Sequence, residues 1–257
     1  MKVAVAGGTG LLGRLVVQAL SEMGDQPIVL ARSQGVDLTS GAGVAAALVG
    51  CDAVVDATNI ITVRRRPAVR FFESVTRHLL GGAQGAGVAH VVTVSIVGVD
   101  SVDYGYFLGK RRQEQLLATG LVPWTLLRAT QFHEFAGQVV ARGGLGPVVA
   151  VPEMLCQPVA AAEAAGCLVR LVHDGPQRVA LPIAGPQRLA MAEMVRGYLR
   201  ATGQRRIVVP FRFPGRVGAA MATGGLVPGE PFQLGETRFD AYLSSLAVDA
   251  QTAGSVR

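Results

Sequence analysis

The stretch Val3-Ala4-Val5-Ala6-Gly7-Gly8-Thr9-Gly10-Leu11-Leu12-Gly13-Arg14-Leu15-Val16 decides the fold. Four apolar residues form a strand. The glycines that follow read as GxGxxG from Gly8 and as GxxGxxG from Gly7. Leu11, Leu12, Leu15, Val16, Ala19, Leu20 and Met23 then line one face of a helix, with Gly24 as its stop. Glycine permits the tight turn and lets a pyrophosphate approach the helix N-terminus, where free N–H groups and the dipole favour negative charge. A strand before the motif and a helix after it are the context that gives it meaning. A secretory leader would also place a lysine before an apolar run. The four glycines of this segment and the lack of an A-x-A-like cleavage site argue against that reading.

Working outward, short apolar runs alternate with amphipathic ones. Strands are expected at Val3–Ala6, Pro27–Ala31, Ala53–Ala57, His90–Ile96 and Trp124–Leu127, none with period-2 alternation. Strands apolar on both faces belong to a parallel sheet covered by helices on both sides. Further helices are expected over 42–49, 68–86, 104–119 and 131–142. The βα alternation predicts an α/β fold, a doubly wound parallel sheet of Rossmann type. At Gly143-Gly144-Leu145-Gly146-Pro147 the pattern breaks and prolines recur. Residues 1–150 are therefore expected to form the nucleotide-binding domain. Residues 151–257 are expected to form a smaller α/β substrate or lid region interleaved with it, holding helices at Val159–Val172, Met191–Ala201 and Thr237–Leu246.

Composition narrows the class. Of 257 residues half are hydrophobic and 16% charged, a core-rich globular chain. The net charge of +6 invites nucleic acid as a partner, but the basic residues come in short groups such as Arg64-Arg65-Arg66, Lys110-Arg111-Arg112 and Arg205-Arg206, without interleaved aromatics. The arginine trio at 64–66 reads as a solvated loop. No uninterrupted apolar span reaches the ~18 residues a membrane crossing needs. Cys51, Cys156 and Cys167 are odd in number and far apart, so neither disulfides nor zinc organise the fold. His78, His90 and His173 form no metal constellation, no metal site is expected, and a reducing cytoplasm is the expected location. Only two lysines occur, Lys2 and Lys110, against an otherwise all-arginine basic set. A position that keeps lysine points to a need for an ammonium.

The end of the second strand discriminates the nicotinamide cofactors. An acidic residue there would bind the ribose 2′-hydroxyl of NAD, whereas this chain has Arg32-Ser33, with Arg14 just inside the first helix. Arginine suits the 2′-phosphate, so NADP(H) is expected over NAD(H).

With the opening motif go Asp37-Leu38 after a short third strand, Ala57-Thr58-Asn59 after the fourth, Ser95 at the end of the fifth and Tyr106-Phe107-Leu108-Gly109-Lys110. Together these resemble an atypical short-chain dehydrogenase/reductase. The stretches Val94–Asp100 and Trp124–Phe132 are similar to the NmrA-like branch, and the likeness loosens after residue 150. The resemblance implies that Gly7, Thr9, Gly10, Leu11, Leu12 and Gly13 line the pyrophosphate and that Arg32 meets the adenosine phosphate. It puts Asp37 and Leu38 at the adenine, and Ala57, Thr58 and Asn59 at the middle of the cofactor. Lys110 would bind the nicotinamide ribose, and Thr130, Gln131 and Phe132 would flank the nicotinamide. It further implies Tyr106 as acid/base, Lys110 one turn on as the ammonium that stabilises its phenolate, and Ser95 as donor to a carbonyl. In NmrA-like proteins the tyrosine is often non-catalytic, so alternatives stay open. One is hydride transfer from NAD(P)H to a small quinone, flavin, azo or carbonyl acceptor, by a monomer or homodimer. A second is a non-enzymatic NAD(P)(H) sensor acting through a protein partner, and a third, weaker one is a sugar-nucleotide epimerase or dehydratase. His133-Glu134 beside Phe132 is a lesser candidate for substrate contact.

Overall fold

The computed structural model describes residues 1–254, with side chains through Val248. In chain order the elements are β1 (Lys2–Ala6), α1 (Leu11–Glu22), β2 (Gln26–Leu30), α2 (Val44–Ala47), β3 (Ala53–Asp56), α3 (Arg65–Ala86), β4 (His90–Ile96), α4 (Gly105–Thr119) and β5 (Trp124–Ala129). There follow α5 (Phe135–Gly143), β6 (Gly144–Leu145), β7 (Val148–Pro152), β8 (Leu155–Cys156), α6 (Ala161–Asp174), β9 (Ala180–Ala184) and β10 (Leu189–Ala190). The last are α7 (Met191–Ala201), β11 (Ile207–Phe211), α8 (Gly215–Ala222), β12 (Gln233–Leu234) and α9 (Phe239–Gly254). A seven-stranded sheet has the order β12-β9-β5-β4-β3-β1-β2, the doubly wound Rossmann arrangement.

The chain divides into two compact units, Met1–Arg128 with Ala161–Leu181, and Ala129–Ala160 with the chain from Pro182 onward. In the first, β1 pairs in parallel with β2 on one side and β3 on the other, and β3 with β4. Strand order reverses at β1, the switch point outside which such sheets bind ligands. The strands are apolar on both faces because both are covered. Ala4, Ala6 and Val54 pack with Leu48 at the end of α2 and with Val75, Leu79 and Leu117 from α3 and α4. The intervening Val3, Val5 and Val55 are equally buried. Helix α1 packs against α6, which also contacts β3 and β4. The second unit holds a three-stranded sheet, β11-β7-β6, a two-stranded one, β10-β8, and the helices α5, α7 and α9 packed in succession.

Three expectations need correction. No strand precedes Asp37. Arg32–Gln34 forms a 3₁₀ turn closed by left-handed Gly35, and the Asp37 carboxylate accepts from the Thr39 N–H at 2.9 Å and hydroxyl at 2.6 Å. A local Asx turn thus takes the bonds a strand would need. The helix expected from 131 begins at Phe135, because the preceding backbone pairs with Val159: the Val159 N–H donates to Gln131 and the His133 N–H to Val159. Arg65 and Arg66 open α3, with Arg64 as its N-cap, and are not loop residues. Among the described residues no helix is long and apolar enough to cross a membrane.

Candidate nucleotide and catalytic site

Gly7 has a φ of +77°, and a Cβ on it would lie 2.6 Å from the Ala57 carbonyl oxygen and 2.9 Å from the Thr58 nitrogen. A Cβ at Gly13 would fall 2.1 Å from the Gly7 carbonyl oxygen. Both contacts are with backbone, which cannot swing aside, so the loop closes only on glycine. The Gly10 N–H donates to the Gly7 carbonyl at 2.9 Å, and the Arg14 guanidinium ties the exposed Thr9 carbonyl at 2.7 Å. No side chain caps the first turn of α1 and no acidic residue lies in it. Its N–H groups and dipole are therefore uncontested by the chain itself, as an anion site requires. Leu12 is buried and anchors the helix, while Leu11 is half-buried.

Arg32 follows β2 and is exposed, with no carboxylate beside it among the neighbouring residues 31–36. Asp37 spends its carboxylate on Thr39, which holds it below its usual range. Leu38 packs partly into the core, and its carbonyl oxygen lies 2.9 Å from His78 Nδ1.

The middle of the site is a chain of buried polar groups. Asp56, last residue of β3, accepts from the Thr58 N–H at 3.0 Å and hydroxyl at 2.6 Å through one oxygen, and from Gln113 Nε2 at 2.7 Å through the other. Gln113 Oε1 accepts from Lys110 Nζ at 2.9 Å, which also donates to the Val94 carbonyl at 2.9 Å. The Phe72 ring covers that ammonium, its centroid 4.5 Å away. Burial pulls the Lys110 pKa down to about 8, with Asp56 and Glu114 opposing the shift. Next to Val94, the Ser95 Oγ is buried with no hydrogen-bond partner among the described residues. The Tyr106 hydroxyl, one turn before Lys110, donates to Asn59 Oδ1 at 2.7 Å.

Gly7, Gly13, Ala57 and Thr58 are thus in direct backbone proximity, Asn59 is joined to Tyr106, and Lys110 is linked through Gln113 and Asp56 to Thr58. Sequence reading passed over Asp56 and Gln113. Asp56 could have been noticed as the one acid in the apolar run Ala53-Val54-Val55-Asp56, and Gln113 as lying three residues past Lys110 on the same helix face.

Thr130, Gln131 and Phe132 belong to the second unit. The Thr130 hydroxyl donates to the Gln157 carbonyl at 2.6 Å, Gln131 Oε1 accepts from the Gln157 N–H at 3.3 Å, and Phe132 bridges to Val159. In the same unit His133 is buried against Phe239 and Tyr242, with ring centroids 5.5 and 5.4 Å apart. Burial raises the Glu134 pKa. Among the described residues no group of His, Cys, Asp or Glu could hold a metal.

A glycine loop at the switch point of a doubly wound sheet, feeding an uncapped helix, defines a dinucleotide-binding Rossmann protein. The sequence matches the NAD(P)H-binding family over residues 7–162, and the chain belongs to that family. Among curated proteins it is similar to (4-alkanoyl-5-oxo-2,5-dihydrofuran-3-yl)methyl phosphate reductase of Streptomyces griseus. The two are 28% identical over 235 residues, 82% of this chain and 76% of that protein. Among solved structures it is similar to the NADPH complex of the NADPH-dependent quinone oxidoreductase QOR2 of Escherichia coli. That match has TM-score 0.71 and 18% identity, covering 95% of this chain and 99% of that one. The fold is equally that of UDP-N-acetylglucosamine 4-epimerase of Bacillus cereus, with TM-score 0.71 and 18% identity over 98% and 96% of the two chains. The NAD(P)-binding family expected from the motifs is therefore shown, and the solved structures share the Rossmann fold.

Proposed function

We propose that this protein is an NADPH-preferring reductase acting on a small quinone or carbonyl-type acceptor. The observation that carries the reading is the side-chain set beside the glycine loop. The buried ammonium of Lys110 comes from one helical turn past Tyr106, and Ser95, whose buried hydroxyl has no hydrogen-bond partner among the described residues, directly follows Val94, whose carbonyl holds that ammonium. The 28%-identical relative is named as a reductase and the fold neighbour as a quinone oxidoreductase, which supports the same choice.

The residues present fit a nicotinamide dinucleotide: a loop that admits no Cβ, an uncontested helix N-terminus, and Arg32 free to meet a 2′-phosphate. Bound NADPH supplies hydride. In such a site the Tyr106 hydroxyl would give its proton to the acceptor oxygen as the C=O π bond is reduced, and the resulting phenolate would be re-protonated from water. Ser95 donates a hydrogen bond to the same oxygen, and the Lys110 ammonium stabilises the phenolate. The exposed face of α3 carries Arg65, Arg66, Arg70 and Arg77, with Glu73 among them and bound to Arg77, and its excess of positive charge supports an acceptor that carries an anionic group. The relative's named phosphate substrate is consistent with that.

The test is calorimetric titration with NADPH and NADH, followed by NADPH oxidation against a panel of quinones and phosphorylated ketones. NADPH should bind more tightly, and Tyr106→Phe should lower turnover by roughly 10²–10⁴-fold with NADPH affinity kept. Unchanged turnover in Tyr106→Phe would mean direct hydride transfer without the phenolic proton. Tight binding without oxidation of any acceptor would overturn the reductase reading in favour of a sensor.

A further inference from the structure

We propose that Asp56 and Gln113 are a positioning pair that holds the Lys110 ammonium in its charged form and couples it to the cofactor loop at Thr58. In its kinetic consequence this rests on the reductase reading; in its structural one it does not.

Three features carry the inference. First, the Gln113 amide can be oriented only one way: its oxygen meets an ammonium, which only donates, and its NH₂ meets a carboxylate, which only accepts. Its dipole therefore lies along the line from negative Asp56 to positive Lys110 and transmits the attraction without direct contact between the charges. Second, two of the three ammonium protons are taken, by Gln113 and by the Val94 carbonyl. The third has no protein acceptor among the described residues, so the pair anchors the ammonium while leaving it a bond to give. Third, the Asp56 oxygen not used by Gln113 takes both the N–H and the hydroxyl of Thr58. Thr58 in turn lies against Gly7, since a Cβ there would come within 2.9 Å of its nitrogen. One carboxylate thus fixes both the loop expected to hold the cofactor and the charge expected to serve the reaction.

The charges around Lys110 leave Asp56 as its main support. On α4 itself, Glu114 also favours the ammonium but is bound by Arg128 of β5. On α3, Glu73 is bound by Arg77 and Arg112, and Phe72 presents only its ring. From β4 comes the neutral Val94 carbonyl. Burial alone favours loss of the proton, so removing the opposing carboxylate lets burial act with less resistance. The ammonium stabilises the phenolate only while charged, so turnover should hold below the Lys110 pKa and fall above it.

The chain's two lysines make this directly measurable. With ¹³C-labelled lysine, the full-length protein gives one side-chain signal from Lys110 and one from Lys2, assigned with Lys2→Arg. In the wild type the Lys110 signal should titrate near pH 8. In Asp56→Asn, which keeps the shape and removes the charge, the midpoint should fall by at least ~1 pH unit, and Gln113→Leu should move it in the same direction. The high-pH limb of NADPH oxidation should shift by the same amount. A merely structural role would lower the melting temperature without moving the Lys110 midpoint, and that result would overturn the proposal. If Asp56→Asn does not fold, Gln113→Leu decides alone. If the wild type oxidises no acceptor, the spectrum still decides the pair, and only the reductase reading is lost.

Discussion

The glycine loop after β1 and the Lys110 pocket between β3, β4 and α4 lie a few residues apart through Thr58, yet they are built on opposite principles. The loop works with backbone alone. Its glycines are required because a Cβ would strike the carbonyl of Gly7 or of Ala57, and its binding power is the uncapped end of α1. The pocket works with side chains of β3 and α4 that, with one carbonyl of β4, are buried together and satisfy one another. A backbone device is specified by neighbours in sequence and shows as a motif. A side-chain network is specified by neighbours in space and shows only when the chain has folded.

The sharpest way to break this contrast is at Gly13. Gly13→Val places atoms inside the Gly7 carbonyl and forces the first turn of α1 away from the loop. Nucleotide affinity should fall by at least ~100-fold, since displacements of about 1 Å already cost that much in preorganised sites. Calorimetry with NADPH, alongside circular dichroism to show that the fold persists, checks this. Retained affinity would mean that the dinucleotide does not use this loop.

The same contrast explains what could be read in advance. The doubly wound sheet was legible because β1, β3 and β4 are covered on both faces and are therefore apolar without alternation, and because α1 carries its stripe immediately after the glycines. The strand expected before Asp37 was not there, because the Asp37–Thr39 turn is a side-chain bond that hydrophobic patterning does not register. The helix expected from Gln131 started four residues late, because its first residues pair with Val159, distant in sequence. Lys110 stood out as a rare residue type with a tyrosine one turn before it. Its partners Asp56 and Gln113 are ordinary residues whose meaning comes only from their distances to it.

Lys110 also offers an intermediate effect, on stability. Its pKa of about 8 in the folded protein lies below the 10.5 of a free lysine. Between those values the unfolded chain binds a proton that the folded one has released, so stability rises with pH through that window. Below pH 8 both states hold the proton, and the cost of burying the charge is present in full. Lys110→Met removes the titrating group and should abolish this contribution, a few kcal/mol in size. The measurement is the difference in urea unfolding free energy between wild type and variant from pH 7 to 10.5, in which other titrations cancel. A difference that stays flat with pH would mean that the ammonium is more hydrated than its burial indicates.

The smallest effect belongs to Arg32, which is neither backbone device nor buried network. It is an exposed guanidinium just after β2. Its contribution should be confined to the one phosphate that distinguishes the two nicotinamide cofactors. A charge-assisted bond to a phosphate is worth ~1.5–3 kcal/mol. Arg32→Ala should therefore weaken NADPH about tenfold or more, leave NADH within about twofold, and leave the melting temperature unchanged. Titrating both nucleotides into both proteins reads the ratio directly. Equal weakening of the two would place Arg32 on a part they share, and no weakening would shift the preference to Arg14. That outcome would tie cofactor choice to the glycine loop itself, since the Arg14 guanidinium is already bound to the Thr9 carbonyl.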